Sequence, residues 1–323
     1  MIPKNLNGWL PSPFDKRDWD WEQSFGADTP RAEALPLSFS WRDKMPSPLP
    51  IQGDEPACVS HAFAAYQMFN SWQEGNKISL SPRFLYSLTG SPGYGRNFRS
   101  HTTLLRDTGD PLESSFPNQT GLSHSDYCNA SLITSAMREE AKRYKIKNWT
   151  VITPTITNLQ RAVSRSPIII AVGGNNLDWR DWKNIQPGAI DWYHAILLTG
   201  WTKDGRWEIA NWWKNWGDKQ YGYLSKDYPI QAAYSLEDIS DFPDKPLEGW
   251  VAVYWLKLER LAKGSEVTLR ENLNLRNNPA GDILSIVPKD AKATIIDDRI
   301  ISAKLGSRTY LWQKIQLENL KCV

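Results

Sequence analysis

The sequence has few cysteines: Cys58, Cys128 and Cys322 are the only three among its 323 residues. A small, odd number excludes a disulfide framework, and at least one thiol stays free or pairs outside the chain. No two cysteines lie close in sequence, which excludes a CxxC zinc or redox site. The four histidines show no metal-ligand spacing (His61, His101, His124, His194). We therefore expect neither a metal ion nor a cofactor.

The sequence also lacks an excess of charge and any long apolar run. The formal net charge is only +2, without basic or acidic blocks, which argues against nucleic-acid binding and against a polybasic membrane patch. No apolar run reaches about 18 residues, so we expect no membrane span. The N-terminus, MIPKNLNGWLPSPFDKRDW, does not show the pattern of a signal peptide. Few cysteines and no visible signal predict a cytoplasmic protein, while export by another route stays open.

The order of periodic segments predicts an α+β fold. Residues 57–74, ACVSHAFAAYQMFNSWQE, carry apolar residues at helical spacing, and residues 80–88 read as a second, short helix. Strand-like runs follow at 167–174, 193–202 and 206–213, and the last two are joined by the tight turn KDG. Helices therefore come first and strands later, with each layer in its own half of the domain.

Cys58 falls at the start of the first helix, where exposed N–H groups and the helix dipole favour a thiolate. A thiol nucleophile also needs a base, a group that orients the base, and donors for the oxyanion. His194 and Asn211 lie on two strands joined by a tight turn, which can bring them side by side. Trp213 can shield their hydrogen bond from water. Gln52, six residues before Cys58, can donate its side-chain amide to an oxyanion.

Each of these residues alone has an ordinary structural interpretation. A free cysteine is often a small core residue, and a lone histidine on a strand is often a satisfied core residue. The combined order and spacing of Gln, Cys, His and Asn-x-Trp favours nucleophilic catalysis over those interpretations.

Several segments resemble the papain/cathepsin-type (C1) cysteine peptidases of bacterial type. LPLSFSWRD…PIQGDEPACVSHAFA is similar to the start of the mature enzymes, roughly LPxxxDWR…VxxQGxCGSCWAF. LSPRFLYSL, LESSFPN, DWYHAILLTGW and ANWWKNWGDKQYGYL resemble four later motifs of that family. The resemblance covers about residues 35–258, and its motifs are specific in combination.

This resemblance implies a role for each matching residue. Cys58 would be the nucleophile, with His194 as general base and acid and Asn211 as the residue that orients it. Gln52 would donate to the oxyanion, and Trp213 would cover the Asn–His pair. The resemblance also implies a thiolate–imidazolium pair with a strongly depressed thiol pKa.

The sequence departs from the family pattern around these residues. The cysteine that precedes the nucleophile in the family is missing, so the matching disulfide cannot form, and Cys128 also lacks its family partner. NSWG has become NWWK, and Trp212 and Lys214 are expected to reshape the cleft on the leaving-group side. The glycine pair on the substrate edge is matched loosely by Gly93 and Gly95.

We predict three segments. Residues 1–34 form an extended arm, which either folds back as structure, the interpretation that we favour, or covers the cleft as a short pro-segment. Residues 35–262 form the papain-like domain, with a helical half and a β-barrel-like half. Residues 263–323 resemble a small all-β bacterial SH3-like barrel through NLNLRNNPAGDILSIVPKDAKATII. Such modules bind cell-wall peptides or proteins, and a rigid structural cap is the alternative.

The resemblance implies a cysteine endopeptidase that hydrolyses a peptide or protein substrate. One alternative is a cell-wall peptide amidase or transpeptidase on the same scaffold. Another is a non-catalytic papain-like protein that binds peptides, which the altered flanks of Cys58 motivate. Intact Gln52, Cys58, His194 and Asn211 speak against this last alternative.

Overall fold

The chain contains two compact units. A computed structural model describes residues 7–13, 18–25, 35–238, 248–252, 263–268, 273–276, 278–279, 283–287, 292–297, 299, 301–305 and 308–317. The first unit comprises Met1–Asp20 and Pro30–Ile239, and the second comprises Trp21–Thr29 and Ser240–Val323. None of the described helices combines the length and the apolar character needed to cross a membrane.

The helices of the first unit surround one central helix. They are α2 (Cys58–Gln73), α3 (Pro82–Leu88), α4 (Phe98–Asp107), α5 (His124–Tyr127), α6 (Ser135–Ala141) and α7 (Ile156–Val163), with 3-10 turns at Arg42–Lys44, Ala130–Leu132, Lys142–Tyr144 and Asp178–Arg180. Every residue of α2 from Cys58 to Phe69 is buried, as expected of a helix surrounded by protein on all sides. The helix predicted over 57–74 is confirmed.

The strands of the first unit form one sheet. They are β1 (Trp19–Asp20), β2 (Phe39–Ser40), β3 (Ile146–Val151), β4 (Ile168–Gly174), β5 (Trp192–Trp201), β6 (Trp207–Ala210), β7 (Tyr221–Leu224) and β8 (Ile230–Asp238). The order is β1-β3-β8-β4-β5-β6-β7, with β2 on β5. All pairs are antiparallel except β1 with β3. This sheet and the helices confirm the predicted mixture of a helical and a β half.

The packing of α2 against β5 places the candidate site. Cys58 at the start of α2 and Ala195 near the start of β5 belong to the same buried apolar cluster. β6 is the neighbour of β5, with Leu197 opposite Ala210. Because Asn211 directly follows β6, the start of α2 and the residues on both strands meet in one place.

The second unit is described by α1 (Trp21–Phe25) and seven strands. These are β9 (Glu248–Ala252), β10 (Glu266–Thr268), β11 (Leu273–Arg276), β12 (Ile283–Val287), β13 (Lys292–Ile295), β14 (Ile301–Leu305) and β15 (Arg308–Leu317). Their order is β10-β13-β15-β9-β11-β12, with β14 also on β15. The described strands form an open antiparallel sheet, and no closed barrel of the SH3-like type is seen among them.

The division between the units differs from the predicted division at 262–263. Ala252 pairs with Trp312 and Gly249 with Ile315, so β9 belongs to the second unit. The predicted arm is also divided, because α1 belongs to the second unit, where the Asn274 side-chain amide donates to Ser24 O at 3.3 Å. Alternating apolar residues identify a strand but not the sheet that it joins, which explains the difference at β9.

A buried carboxyl group in the helical half gives a prediction about stability. Asp110 is fully buried, and its burial together with the nearby Glu113 raises its pKa well above 3.8, against an opposing effect of the Ser81 N–H. In the native state Asp110 therefore keeps a proton that it loses near pH 3.8 in the unfolded state. The free energy of unfolding falls as the pH rises from 3.8 towards the raised pKa of Asp110. We expect Asp110→Asn to remove this pH-dependent loss of stability. Its stability relative to wild type should grow by about 1.4 kcal/mol per pH unit.

Urea unfolding at pH 4, 5 and 6 measures this difference. The exposed Asp227 supplies the control Asp227→Asn. A stability difference between Asp110→Asn and wild type that stays constant over the three pH values would show that Asp110 ionises normally in the native state.

Candidate active site

His194 and Asn211 are directly hydrogen-bonded. His194 lies on β5, where it pairs with Val172 on β4, and its Nε2 is 2.8 Å from Asn211 Oδ1. The backbone N–H of Trp212 donates to the same oxygen at 2.7 Å, which fixes the asparagine side chain. The amide oxygen is an acceptor, so the imidazole carries its proton on Nε2 in the neutral state. The second ring nitrogen, Nδ1, is buried and has no hydrogen-bond partner among the described residues.

An aromatic cluster covers the histidine. The Trp213 ring stacks on the His194 ring with centroids 4.7 Å apart and an interplanar angle of 25°. Trp179 and Trp192 contact both rings, with centroid distances to His194 of 6.1 and 6.2 Å. All these side chains are buried, so the His–Asn hydrogen bond is shielded from water. This is the geometry that the sequence predicted for Trp213.

The structure brings Cys58 to the same place. Its Sγ accepts a hydrogen bond from the backbone N–H of Ala195 at 3.3 Å, and Ala195 directly follows His194. Ala57, the residue before α2, contributes no side-chain cap, so the first turn of the helix offers its backbone N–H groups near the sulfur. Cysteine, histidine and asparagine are thereby assembled as the sequence pattern indicated.

Gln52 lies in the loop before α2, and its side-chain amide is already engaged. Nε2 donates to Glu55 O at 2.5 Å, and the side chain is 1% exposed. The backbone N–H of Gln52 donates to Trp212 O at 2.9 Å, which ties this loop to the residues after β6. An amide nitrogen carries two hydrogens, so the second one remains for an oxyanion.

The protonation states of the two central groups differ from the expected ion pair. Burial raises the pKa of Cys58 to about 12 and lowers the pKa of His194 to about 4. Burial has this effect because a site without water disfavours the charged form of either group. In this structure the pair is therefore a neutral thiol and a neutral imidazole at pH 7.

The chain's own N-terminal segment, residues 7–13, covers the site. Gly8 N–H donates to Tyr193 O at 3.3 Å, and Gly8 O accepts from Arg96 N–H at 2.9 Å. Leu10 N–H donates to Arg96 O at 2.9 Å, which gives a parallel bridge between Trp9 and Arg96. The segment thus runs as an extended peptide between the start of β5 and the residues before α4.

The covering segment fits closely at two positions. A Cβ atom built on Gly8 would overlap Cys58 Sγ and would lie 3.1 Å from Pro56 O, so only glycine fits over the sulfur. The next side chain, Trp9, is 6% exposed and packs against Tyr193 and Phe98, with ring centroids 5.7 and 6.0 Å away.

The other residues that the sequence predicted for the cleft do not all lie at the covered site. Gly95 lies beneath the covering segment, because a Cβ atom there would overlap Asn7 O. Gly93 has a φ of +72° and lies next to the His124 ring instead. Trp212 is fully buried, and its indole N–H donates to Ala195 O at 2.9 Å, so it joins the two strands. Lys214 is exposed.

Covering of the cleft by the N-terminal arm is the alternative that the sequence left open, and the structure places residues 7–13 over Cys58. Sequence reasoning missed a group of polar side chains around the loop before α2. Glu55 stands three residues before Cys58, where the resemblance places a cysteine, and its carboxylate lies 2.8 Å from His124 Nδ1. Cys58 and Cys128 are both free thiols.

Comparison with known proteins gives relatives at low sequence identity. No protein-family model matches the chain. It is 25% identical over 235 residues to the low-temperature-induced cysteine proteinase of Solanum lycopersicum, which covers 67% of this chain and 63% of that protein. Macrodontain-1 of Ananas macrodontes is 22% identical over 202 residues, or 60% of this chain and 91% of that protein. The chain thus spans less than two thirds of the first relative's length.

Solved structures are similar over about three quarters of the chain. The cysteine protease xylellain from Xylella fastidiosa superposes with a TM-score of 0.62 at 17% identity, covering 74% of this chain and 99% of that one. Procathepsin B S9 from Trypanosoma congolense gives a TM-score of 0.58 at 15% identity, covering 73% and 87%. The arrangement of helices and sheet therefore has the papain-like cysteine protease fold.

Proposed function

We propose that the chain is a cysteine endopeptidase with Cys58 as nucleophile. The observation that carries this proposal is the convergence of Cys58, His194 and Asn211, with the His–Asn hydrogen bond at 2.8 Å and the sulfur bonded to the N–H of Ala195, the residue after His194. The cysteine proteinase relatives support it through the fold and the sequence. His194 presents Nδ1 without a competing hydrogen bond from the described residues, as a base for a thiol requires.

The proposed reaction follows from this geometry. His194 Nδ1 takes the proton from Cys58 Sγ, and the thiolate attacks the substrate carbonyl carbon to form a C–S bond. The backbone N–H of Cys58 and the free hydrogen of Gln52 Nε2 hold the oxyanion. His194 then gives the proton to the leaving amine as the C–N bond breaks. Water, activated by the same imidazole, hydrolyses the thioester and restores the thiol.

We also infer that residues 7–13 act as a short pro-segment. The sequence favours a purely structural arm and leaves the pro-segment as the alternative. Three contacts support the pro-segment: Gly8 lies on the sulfur, Trp9 is buried beside Tyr193, and the backbone of the segment bonds to Arg96. A peptide in this place excludes substrate and removes water from Cys58 and His194. The neutral pair found here is then the state of the covered enzyme.

Hydrolysis of a fluorogenic peptide library tests the proposed activity. We expect wild type, once its N-terminal segment has been displaced, to release peptide fragments, and Cys58→Ala to release none above background. Product masses separate hydrolysis, which adds water, from transpeptidation. The same cleavage rate in Cys58→Ala would refute the assignment. A transferred acyl group in place of a free carboxylate would support the transpeptidase alternative.

For the second unit we propose an SH3-like module that binds a peptide. Its sequence pattern and its short antiparallel strands support this proposal. Calorimetric titration of full-length Cys58→Ala with a cell-wall stem peptide tests it, because the nucleophile is absent and the cleft is covered. Heat of binding with a stoichiometry of about one supports the module. If no heat of binding is measured, the alternative that the second unit is a rigid structural cap is favoured.

A further inference from the structure

Arg96 is a buried cation that is bound by the loop around it. The residue is 3% exposed. Its guanidinium donates to four oxygens and one sulfur: Thr89 Oγ1 at 3.1 Å, Tyr94 O at 2.6 Å, Gly95 O at 3.3 Å, Tyr86 O at 3.1 Å and Cys128 Sγ at 3.6 Å. A planar fork with five donors can hold several carbonyls at fixed positions, which a lysine cannot do.

Two further neighbours crowd the guanidinium. Its Cζ lies 3.9 Å from the centroid of the Tyr86 ring. A Cβ atom on Gly90 would be 3.0 Å from Cζ, so glycine at this position leaves the space that the guanidinium fills. The guanidinium of Arg96 is therefore confined by an aromatic ring and by the backbone of its own loop.

The backbone of the same residue binds the peptide in the cleft. Arg96 N–H donates to Gly8 O and Arg96 O accepts from Leu10 N–H, both at 2.9 Å. Any extended peptide that replaces the N-terminal segment meets this pair of backbone groups. Their position depends on the conformation of residues 89–96, which Arg96 holds by its side chain.

The loop of residues 89–96 needs the hydrogen bonds of Arg96 to keep one conformation. TGSPGYGR, residues 89–96, contains three glycines, and glycine loses more conformational freedom on ordering than any other residue. No disulfide fixes it, because Cys58 and Cys128 are both free and Glu55 occupies the position of the expected cysteine. Hydrogen bonds from one buried guanidinium supply the constraint instead.

We propose that Arg96 is a positioning residue for peptide binding: its guanidinium fixes the backbone pair that holds an extended chain across Cys58. The inference rests on the proposed function only where the bound peptide is a substrate. For the N-terminal segment it stands on the geometry alone. The site would take the main chain of an extended peptide, whatever its side chains.

Hydrogen exchange in the full-length chain carrying Cys58→Ala tests the proposal without any catalytic readout. We expect Arg96→Lys to speed exchange of the Leu10 amide about tenfold, the effect of weakening one or two hydrogen bonds. The matched control is Arg83→Lys. Arg83 is also buried, donates to the carbonyls of Tyr127, Asp126 and Pro117 and stacks on an aromatic ring, but it has no contact with residues 7–13 among its described bonds. Arg83→Lys should leave the exchange rate of the Leu10 amide within about twofold of the rate in the parent protein.

A second variant keeps the test decisive where Arg96→Lys folds poorly. Gly90→Ala pushes a methyl group against the guanidinium and leaves Arg96 in place, and we expect the same acceleration at Leu10. Unchanged Leu10 exchange in a folded Arg96→Lys or in Gly90→Ala would overturn the proposal. So would an equal acceleration in Arg83→Lys, because the effect would then be general loosening of the helical half.

Kinetics separate this proposal from the proposed function. In the active enzyme we expect Arg96→Lys to raise KM about tenfold, with kcat within about twofold, because peptide binding weakens while Cys58 and His194 are untouched. A fall in kcat with unchanged KM would contradict positioning. If wild type shows no hydrolysis, the proposed function fails, and exchange at Leu10 still decides the role of Arg96.

Discussion

We expect replacement of Trp9 by alanine to raise the rate of iodoacetamide labelling at Cys58 about a hundredfold. The Trp9 side chain is 6% exposed and packs between Tyr193 and Phe98, so it anchors the segment that covers the sulfur. Truncating a buried tryptophan costs about 3–5 kcal/mol, and a loss of about 2.7 kcal/mol already shifts a covered–open equilibrium a hundredfold. The open form exposes Cys58 to the reagent and to water.

The measurement is the labelling rate of the peptide that contains Cys58, followed by mass spectrometry. Leu10→Ala is the matched control, because Leu10 is the next residue and its side chain is 46% exposed. It should change the rate by less than about threefold. Equal rates in wild type and Trp9→Ala would mean that residues 7–13 do not limit access to the sulfur.

The second large effect concerns His194, the proposed general base. In the Trp9→Ala background we expect His194→Ala to lower kcat/KM about 10³–10⁴-fold, because the thiol loses its proton acceptor and the leaving amine loses its donor. Removing the enclosed imidazole leaves a cavity and one lost side-chain hydrogen bond, to Asn211, so circular dichroism checks that the variant is folded before its kinetics are compared.

His101→Asn is the control for removing a buried histidine. His101 is fully buried and its Nε2 lies 2.7 Å from Ser60 Oγ, on the opposite side of α2 from the assembled pair. Its loss should change stability more than kcat/KM. If His194→Ala and His101→Asn lowered kcat/KM equally, the effect would be structural and His194 would lose its proposed role.

The sequence predicted which residues meet but not their state. Cys58, His194, Asn211 and Trp213 come together because a helix start and two strands joined by a tight turn leave few other arrangements. The ionisation of the pair depends on water, so the covered state has a neutral pair, and the predicted ion pair stays a prediction for the uncovered state. Burial raises the pKa of Cys58 and lowers the pKa of His194, and that burial comes partly from residue 8, which carries no side chain to signal it.

The loop around Arg96 shows a second limit of sequence reading. Arginine after a glycine-rich stretch is typical of a solvated loop, and nothing local indicates that five acceptors surround it. The neighbours come from α3, from the loop itself and from Cys128, which lies 32 residues further along the chain. Contacts of this kind depend on the tertiary fold, whereas helix starts and strand periods are local.

The proposed pro-segment would also give the fold a means of control. Gly8 and Trp9 cover the pair, and their displacement would return water to both groups. A covered thiol with a pKa raised to about 12 is a poor nucleophile at neutral pH, so covering would suppress the proposed reaction chemically as well as sterically.

The central claim is that Cys58 becomes a thiolate paired with His194 once it is uncovered. The most direct test is the pH dependence of iodoacetamide labelling at Cys58 in Trp9→Ala, with and without His194→Ala. We predict fast labelling well below the ordinary thiol pKa of about 8.5, lost when His194 is replaced. Labelling that rises only near that pKa, and equally in both proteins, would contradict the account.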